Sequence, residues 1–356
     1  MYFKFFLLLV FLVSPVSADE LLYIASGNAI EVKKIDRLTG KLTDLQKVEH
    51  PGLSKFTFSP DKSFLYAQAS MKNNRKQTAV ITYKITDDGK LTYLDIAAIK
   101  GSTTELKTDH TGKFLTAADY GAGMVTVWKL ENGVYKGSVA SELKLEKKVH
   151  AVRFSKDNKV LCIPATGPNV VYELAFDEKT GKISEKTQAK GPASGASQPR
   201  HLIFHPEMDI AYTTLERVKP GVGTWKWDPD KGELQLLQNL ANHDDETGAV
   251  TNADLHMSPD NKFLYVSCRD KNARVDHIAL YKISPEDGQL TFVKKFPCEN
   301  IPRSFGLNKS GDFMYVCGQR ANKMGVYKID KATGFLTKVT QYDTGAGPIW
   351  VETLIK

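Results

Sequence analysis

The sequence predicts an all-β protein, a seven-bladed β-propeller with four antiparallel strands in each blade. Three observations support this prediction: a motif that recurs about every 50 residues, four strand-like segments within each recurrence, and termini that each supply part of one blade. Repeats of about 20–50 residues are typical of propellers, solenoids and other arrays. Four strands per repeat are the composition of a propeller blade.

The recurring motif is an apolar strand that leads into a short polar turn, as in residues 198–206, Gln-Pro-Arg-His-Leu-Ile-Phe-His-Pro. A second apolar strand follows the turn (64–67 in one copy), then a third (80–85), then an Asp/Gly turn and a short fourth strand. Alternating β-branched and aromatic residues bounded by Asp, Asn, Gly and Pro indicate strands and turns. No run of ten or more residues has a helical apolar stripe. The turns of the six full copies begin at Ser59, Asp109, Ser155, His205, Ser258 and Asn308.

A seventh blade is divided between the two ends of the chain. Segments 21–25 and 30–35 supply its later strands, and segment 347–352 resembles the start of a repeat with nothing after it. We therefore expect the C-terminal strand to pair with the N-terminal strands and close the ring. Closure removes the exposed sheet edges that would otherwise promote aggregation.

The first 18 residues have the anatomy of a signal peptide. Segment 5–13 is wholly apolar, and Val16, Ser17 and Ala18 form a small-residue cleavage site before Asp19. The apolar segment is too short to span a membrane. The sequence thus predicts a signal peptide at 1–18 and one exported propeller domain at 19–356, periplasmic or secreted and free of the membrane after cleavage. An uncleaved membrane anchor is the alternative.

Composition narrows the classes of partner. The formal net charge is +7, but no dense Lys/Arg run is present, so nucleic-acid binding is not predicted. A basic surface would attract an anionic small molecule. The four cysteines lack Cys-x-x-Cys spacing, and we expect buried free thiols, although export permits disulfides. No metal or cofactor is predicted, and the oligomeric state is left open. The cysteines are Cys162, Cys268, Cys298 and Cys317.

Candidate site residues follow from the predicted fold. Loops that enter the innermost strand and loops that leave the second strand can meet at one mouth of the central channel. Blades four to seven place polar residues there, and blades one to three place nothing comparable. Histidine can act as a general acid or base, and arginine suits a carboxylate or phosphate. The residues are His150, Arg200, Glu216, Arg269, Arg303 and Gln319.

Structural interpretations of these residues stay open on the sequence alone. His150 could bond a loop carbonyl, and Arg200 with Glu216 could be a structural ion pair. His256 alternates onto an inner strand, where it either lines the channel or is a hydrogen-bonded core histidine.

At these positions the chain resembles the seven-bladed lactonase family, which includes propeller-type 6-phosphogluconolactonases and fungal 3-carboxy-cis,cis-muconate lactonizing enzymes. The resemblance covers nearly the whole mature chain. The segments that match best are 199–206, 253–260, 302–303 with 318–319, and 345–351. WD-type propellers are disfavoured because no Gly-His…Trp-Asp pair marks the blades.

The resemblance implies a lactone hydrolase whose catalytic residues are His150, Arg200, Glu216 and Arg269. His201, His256, Arg303 and Gln319 are then expected to bind substrate. This sequence departs from the family pattern at Ala165-Thr166-Gly167, where an aspartate is common, at Cys268, where an asparagine is common, and at the inserted segment 271–276.

Three functions remain open at this stage. The first is hydrolysis of a sugar lactone, phosphorylated or not. The second is a non-enzymatic exported propeller that binds a sugar acid or a protein. The third is muconate-type cycloisomerisation, which uses a similar site.

Overall fold

A computed structural model describes residues 19–192, 198–242, 249–272 and 276–356. The described residues form 28 strands and no helix, arranged as seven four-stranded antiparallel sheets. The prediction of a seven-bladed β-propeller is confirmed. The predicted signal peptide at 1–18 lies outside the described residues, as do three short internal segments.

Each blade runs outward from the central channel in strand order. Blade 1 comprises β28 (Trp350–Ile355), β1 (Glu20–Ser26), β2 (Ala29–Ile35) and β3 (Leu42–Glu49). Blades 2 and 3 comprise β4 (Phe56–Phe58), β5 (Phe64–Met71), β6 (Asn74–Ile85) and β7 (Leu91–Ala98), then β8 (Glu105–Thr108), β9 (Phe114–Asp119), β10 (Met124–Glu131) and β11 (Val134–Lys144). Blades 4 and 5 comprise β12 (Arg153–Phe154), β13 (Val160–Ala165), β14 (Val170–Phe176) and β15 (Ile183–Lys190), then β16 (Pro199–Phe204), β17 (Ile210–Leu215), β18 (Gly221–Asp228) and β19 (Glu233–Ala241). Blades 6 and 7 comprise β20 (Val250–Met257), β21 (Phe263–Asp270), β22 (His277–Ile283) and β23 (Leu290–Pro297), then β24 (Pro302–Leu307), β25 (Phe313–Gly318), β26 (Lys323–Ile329) and β27 (Leu336–Asp343).

The hydrophobic core lies between blades. Successive side chains of a strand point to opposite faces of its sheet, so one apolar strand can serve two interfaces. In β1, Leu21 and Tyr23 pack against blade 2, whereas Leu22 and Ile24 pack against blade 7. This explains why the second strands of the blades are continuous apolar runs rather than half-polar ones.

The ring closes through the two termini, as the sequence predicts. Strand β28 pairs antiparallel with β1, from Trp350 opposite Ala25 to Ile355 opposite Glu20. The inner strand of blade 1 is therefore the last strand of the chain, and it brings Trp350 to the channel.

Tyrosines in the second strands tie neighbouring blades together. In five blades the phenol donates to the carbonyl of a glycine in the outer turn of the next blade, for example Tyr212 to Gly288 at 2.7 Å and Tyr265 to Gly334 at 2.9 Å. Each of these glycines has a positive φ, which a side chain would strain. The other pairs are Tyr23–Gly89, Tyr66–Gly133 and Tyr315–Gly40.

All four cysteines are free, and three are buried. This agrees with the expectation of free thiols. Within the described ranges, no helix is long and apolar enough to cross a membrane, and no cluster of three or more His, Cys, Asp or Glu side chains is placed to hold a metal ion.

Candidate active site

The inner strands of blades 5, 6 and 7 share an irregularity at the same place. Their pairing with the second strand shifts register between Pro199 and Leu202, between Asn252 and Leu255, and between Pro302 and Ser304. Such β-bulges change the direction of side chains and are common beside active sites. The bulges contain Arg200, His201, Asp254 and Arg303.

Backbone strain precedes three of the candidate residues. Lys148, Gln198 and Ile301 have φ of 74°, 57° and 57°, and each stands two residues before a candidate. Positive φ is uncommon outside glycine and exceptional for a β-branched residue such as Ile301. Strained backbone of this kind accumulates at functional sites, where the surrounding fold enforces it. The candidates that follow are His150, Arg200 and Arg303.

Glu216 lies at the centre of a charged cluster, just after the second strand of blade 5. Its Oε1 accepts a hydrogen bond from Arg269 Nη2 at 2.9 Å and lies 3.8 Å from Arg200 Nε. Burial alone would raise the pKa of Glu216, but Arg200, Arg269 and Arg217 hold it below its usual value. The sequence prediction that these side chains converge is thus matched by their positions.

Arg200 and Arg269 each keep at least one buried donor unused. Arg269 Nη2 also donates to Asn252 O at 3.0 Å, and Arg200 Nη1 donates to Ala253 O at 2.5 Å. The buried Nε atoms of both arginines make no hydrogen bond within the described part of the chain. A buried donor without a partner is costly, so a ligand or water in this space would be stabilised.

His150 lies in the same region and is 6% exposed. Its ring centroid is 5.2 Å from that of His201 and 5.8 Å from that of Tyr120. Burial, and then the charges of Arg200, His201 and the other arginines, hold its pKa well below the usual value. The ring is therefore neutral, and its buried Nδ1 has no partner among the described residues.

Arg303 and Gln319 open onto solvent-accessible space beside Arg269. Together with Thr251 and Ile301 they line a cavity of about 470 Å³. Burial, and then the charge of Arg269, lower the pKa of Arg303 to about 10. The cavity thus joins three residues that the sequence assigns to one mouth of the channel: Arg269, Arg303 and Gln319.

Lys55 is a residue of this region that sequence reasoning missed. Its Nζ donates to Thr103 O at 3.2 Å. Burial lowers its pKa to about 8, and the nearby charges of Arg303 and Arg200 act in the same direction. The sequence analysis assigns no site residue to blade 2, because Lys55 is the only Lys, Arg, Asp or Glu in the segment 51–55 that precedes the inner strand.

The register shows why Lys55 lies there. Phe56 pairs with Ala67 at the position where Leu202 pairs with Thr213 in blade 5. Lys55 and His201, one residue earlier, therefore occupy equivalent positions facing the channel. We call this set the inner ring, and its polar and aromatic members are Lys55, Glu105, His201, Asp254, Ser304 and Trp350.

His201 has both ring nitrogens engaged within the protein. Nε2 lies 3.0 Å from Arg200 Nη1, and Nδ1 lies 2.9 Å from Asp254 Oδ1. It is 3% exposed. Direct contact with substrate, as the sequence analysis expects, stays a prediction for His201.

His256 lies apart from the other candidates. It stands near the end of β20, whereas Thr251, at the start of that strand, pairs with Arg269. At about 3.3 Å per residue of strand, five residues separate the two positions by roughly 16 Å. His256 lines a different cavity, with Lys107, Arg153 and Trp350. We call this end of the channel the far end, and the end with Arg269 the near end.

The whole chain between residues 17 and 353 matches the family model described as "Lactonase, 7-bladed beta-propeller". The chain belongs to the seven-bladed β-propeller lactonase family. The predicted resemblance is confirmed, and with it the prediction of an enzyme of the lactonase class.

Curated relatives agree with this assignment. A protein of Klebsiella pneumoniae named 6-phosphogluconolactonase is 33% identical over 316 residues, which are 88% of this chain and 92% of the relative. Another of that name from Pectobacterium carotovorum is 31% identical over 94% of this chain and 99% of its own. The solved structure of a periplasmic gluconolactonase from Pseudomonas aeruginosa has the same fold, with a TM-score of 0.84 at 22% identity over 95% of this chain and 99% of that one.

Proposed function

We propose that the protein hydrolyses a sugar lactone at the near end of the channel. The observation that supports this most is the neutral, buried His150 beside a cluster of cations that outnumber the nearby carboxylates, Glu216 and Asp254. Hydrolysis of a lactone needs a base for water and stabilisation of a developing oxyanion. A neutral imidazole and unpaired guanidinium donors supply these two requirements.

In the proposed mechanism, His150 takes a proton from water as the water oxygen bonds to the lactone carbonyl carbon. The carbonyl oxygen becomes an oxyanion, which Arg200 and Arg269 stabilise through their unpaired N–H groups. The tetrahedral intermediate then collapses, the bond from the carbonyl carbon to the ring oxygen breaks, and protonated His150 returns the proton to that oxygen. The product is an open-chain hydroxy acid. Glu216 holds the two arginines in place.

Arg303, Gln319 and Lys55 are proposed to bind the rest of the substrate. Arg303 and Lys55 are cations at this end that no described carboxylate neutralises through an ion pair. An acidic substituent, such as the phosphate of a 6-phosphogluconolactone, fits this charge. The names of the curated relatives support the phosphorylated substrate.

Export through a cleaved signal peptide at 1–18 is part of the proposal. It is supported by the apolar segment and small-residue cleavage site in the sequence, and the solved gluconolactonase of similar fold is itself called periplasmic. Outside the cytoplasm, an unphosphorylated gluconolactone becomes the competing substrate.

The test is lactonase activity of the mature chain from Asp19. Phosphorylated and unphosphorylated gluconolactone are assayed side by side, with correction for spontaneous hydrolysis. We expect turnover that falls by about 10²–10⁴-fold in His150→Gln, because general base catalysis typically contributes that factor. Full activity in that variant would contradict the role of His150. Binding of sugar acids without turnover would instead favour the non-enzymatic function, and a lactone formed from a muconate would indicate cycloisomerisation.

A further inference from the structure

We infer that Asp254 is a positioning residue for Arg200, acting through His201. Its kinetic consequences rest on the proposed function. The structural part, the hydrogen-bond chain from Asp254 through His201 to Arg200, is independent of any activity.

Asp254 is a buried carboxylate surrounded by donors. Oδ1 receives His201 Nδ1 at 2.9 Å and the backbone N of Leu255 at 3.0 Å. Oδ2 receives Ser304 Oγ at 3.0 Å and lies 3.3 Å from His256 Nε2. Burial would raise the pKa of Asp254, but the two histidines and these hydrogen bonds hold it well below its usual value. The carboxylate is therefore ionised and held on both oxygens.

The contacts of His201 determine which of its nitrogens carries the proton. An arginine side chain has donors and no acceptor, so Arg200 Nη1, 3.0 Å away, must donate to His201 Nε2. Nε2 is then unprotonated. The proton lies on Nδ1, which donates to Asp254 Oδ1. A carboxylate beyond the far nitrogen of a histidine fixes the tautomer and orientation of the ring in the same way in other enzymes.

The orientation of Arg200 depends on this tautomer. Nη1 is held by two acceptors, His201 Nε2 and Ala253 O, and the second belongs to the residue beside Asp254 in the same bulge. With Nη1 fixed, the unpaired Nε is fixed as well. If His201 carried its proton on Nε2, two donors would face each other and Arg200 would have to move. Asp254 thus acts on the reacting atoms only through Arg200.

This arrangement predicts coupling between two residues whose side chains do not touch. We expect Asp254→Ala to lower kcat/KM by about 10–100-fold. This is the range seen in metal sites when the hydrogen-bond partner of a metal-binding histidine is removed. In an Arg200→Ala background the same change should have little further effect, because its target is gone. A double-mutant cycle of Asp254→Ala and Arg200→Ala measures this coupling. Strong coupling indicates that Asp254 acts through Arg200, whereas a general loss of stability would not depend on Arg200.

Ser304→Ala is the matched control. It removes one donor from the Asp254 carboxylate but leaves the hydrogen bonds from His201 to Asp254 and from Arg200 to His201 intact, so kcat/KM should change much less than in Asp254→Ala. Thermal unfolding of every variant checks the fold. If Asp254→Ala does not fold, His201→Phe breaks the same chain, and its effect should likewise vanish beside Arg200→Ala. Additive effects in the cycle would overturn the inference.

A measurement that needs no enzymatic activity tests the hydrogen-bond chain from Asp254 to Arg200 by itself. Nitrogen-15 chemical shifts of His201 in the mature protein should report a protonated Nδ1 and a bare Nε2, and Asp254→Ala should shift the proton toward Nε2. A protonated Nε2 in the unmodified protein would overturn the inference even if lactonase activity is found. An inactive protein with the expected shifts would instead contradict the proposed function and leave the positioning chain standing.

Discussion

The two ends of the channel are built from the same strands, yet they differ in how far their cationic side chains are paired with carboxylates. At the far end two cations each have a carboxylate partner: Arg153 pairs with buried Glu105, and Lys107 lies 3.5 Å from Glu352. At the near end Glu216 serves several cations, with Asp254 as the second nearby carboxylate, and Arg303 has no ion pair among the described residues. The near-end cations are Lys55, Arg200, Arg269 and Arg303.

This difference in charge pairing indicates which end of the channel binds a ligand. Paired charges at the far end satisfy one another and need no ligand. Crowded cations at the near end raise the free energy of the folded state, since burying like charges together is unfavourable. Burial, together with the charges of Arg269 and Arg303, lowers the pKa of Arg200 to about 9 although Glu216 opposes the shift. We propose that this cluster binds an anion, and the following variants test that proposal.

Among the variants that test this difference, those of Arg200 should have the largest effect. Arg200→Ala should lower kcat by about 10²–10³-fold, the loss typical when one donor to an oxyanion is removed. Arg200→Lys should remain strongly impaired, because a lysine cannot donate to Ala253 O and His201 while also presenting a second fixed N–H. Steady-state kinetics on the lactone measure both changes.

Arg217 provides the control for that experiment. It lies 4.0 Å from the same Glu216 oxygen, but its side chain is 37% exposed. Arg217→Ala should therefore change kcat less than twofold, as expected for an exposed ion pair. Equal losses in the two variants would mean that the near end responds to net charge alone and that Arg200 has no specific role.

The second effect concerns acid stability. Burial lowers the pKa of His201 to about 4, against an ordinary value of 6.5. Between these values the unfolded chain binds a proton that the folded chain does not, so the free energy of unfolding falls as pH drops from 6.5 to 4. The loss for His201 is about 3 kcal/mol by linkage. His201→Phe should therefore flatten the pH dependence across this window.

The free energy of unfolding must be compared between the unmodified chain and His201→Phe at each pH. Burial raises the pKa of Glu173 to about 7, so this residue contributes in the opposite direction: the folded chain binds its proton, and stability from it rises as pH falls from 7. The pH dependence of the unmodified chain contains contributions from His201, Glu173 and other groups such as His150. The difference between the unmodified chain and His201→Phe isolates the contribution of His201. Denaturant unfolding at pH 6.5 and pH 4.5 measures this difference in the free energy of unfolding. If the free energy changes equally with pH in both chains, His201 is protonated in the folded protein at pH 4.5.

Much of the fold could be predicted because the repeat is visible in the residues themselves. The shared blade follows from segment 347–352, and the meeting of Arg269, Arg303 and Gln319 follows from counting along strands. The bulges could not be predicted, since a register shift depends on tertiary pairing. They determine that His201 contacts Arg200 and Asp254 rather than an open channel.

The remaining differences have equally local causes. His256 is two residues beyond Asp254 on an inner strand that runs along the channel wall, so it lies toward the far end. Lys55 was missed because its importance comes from the inner ring, in which each residue belongs to a different blade. A search that aligns the blades by register, and then compares the residues at the inner-ring position, would find Lys55.

The smallest effect in this series is expected from Lys55→Gln. Together with Lys107→Gln, this variant compares the near end with the far end directly. Lys55→Gln should raise KM for a phosphorylated lactone by about tenfold with little change in kcat, because it removes binding that substrate and transition state share. The unphosphorylated lactone should be nearly unaffected. In the unmodified protein KM should also rise above pH 8, where Lys55 loses its charge, and this rise should disappear in the variant. Lys107→Gln removes a lysine from the far end, where Glu352 already pairs with it, and should change KM less than twofold. If the two glutamine variants raise KM equally, the anion is attracted by the total charge of the protein and not by the unpaired cations of the near end.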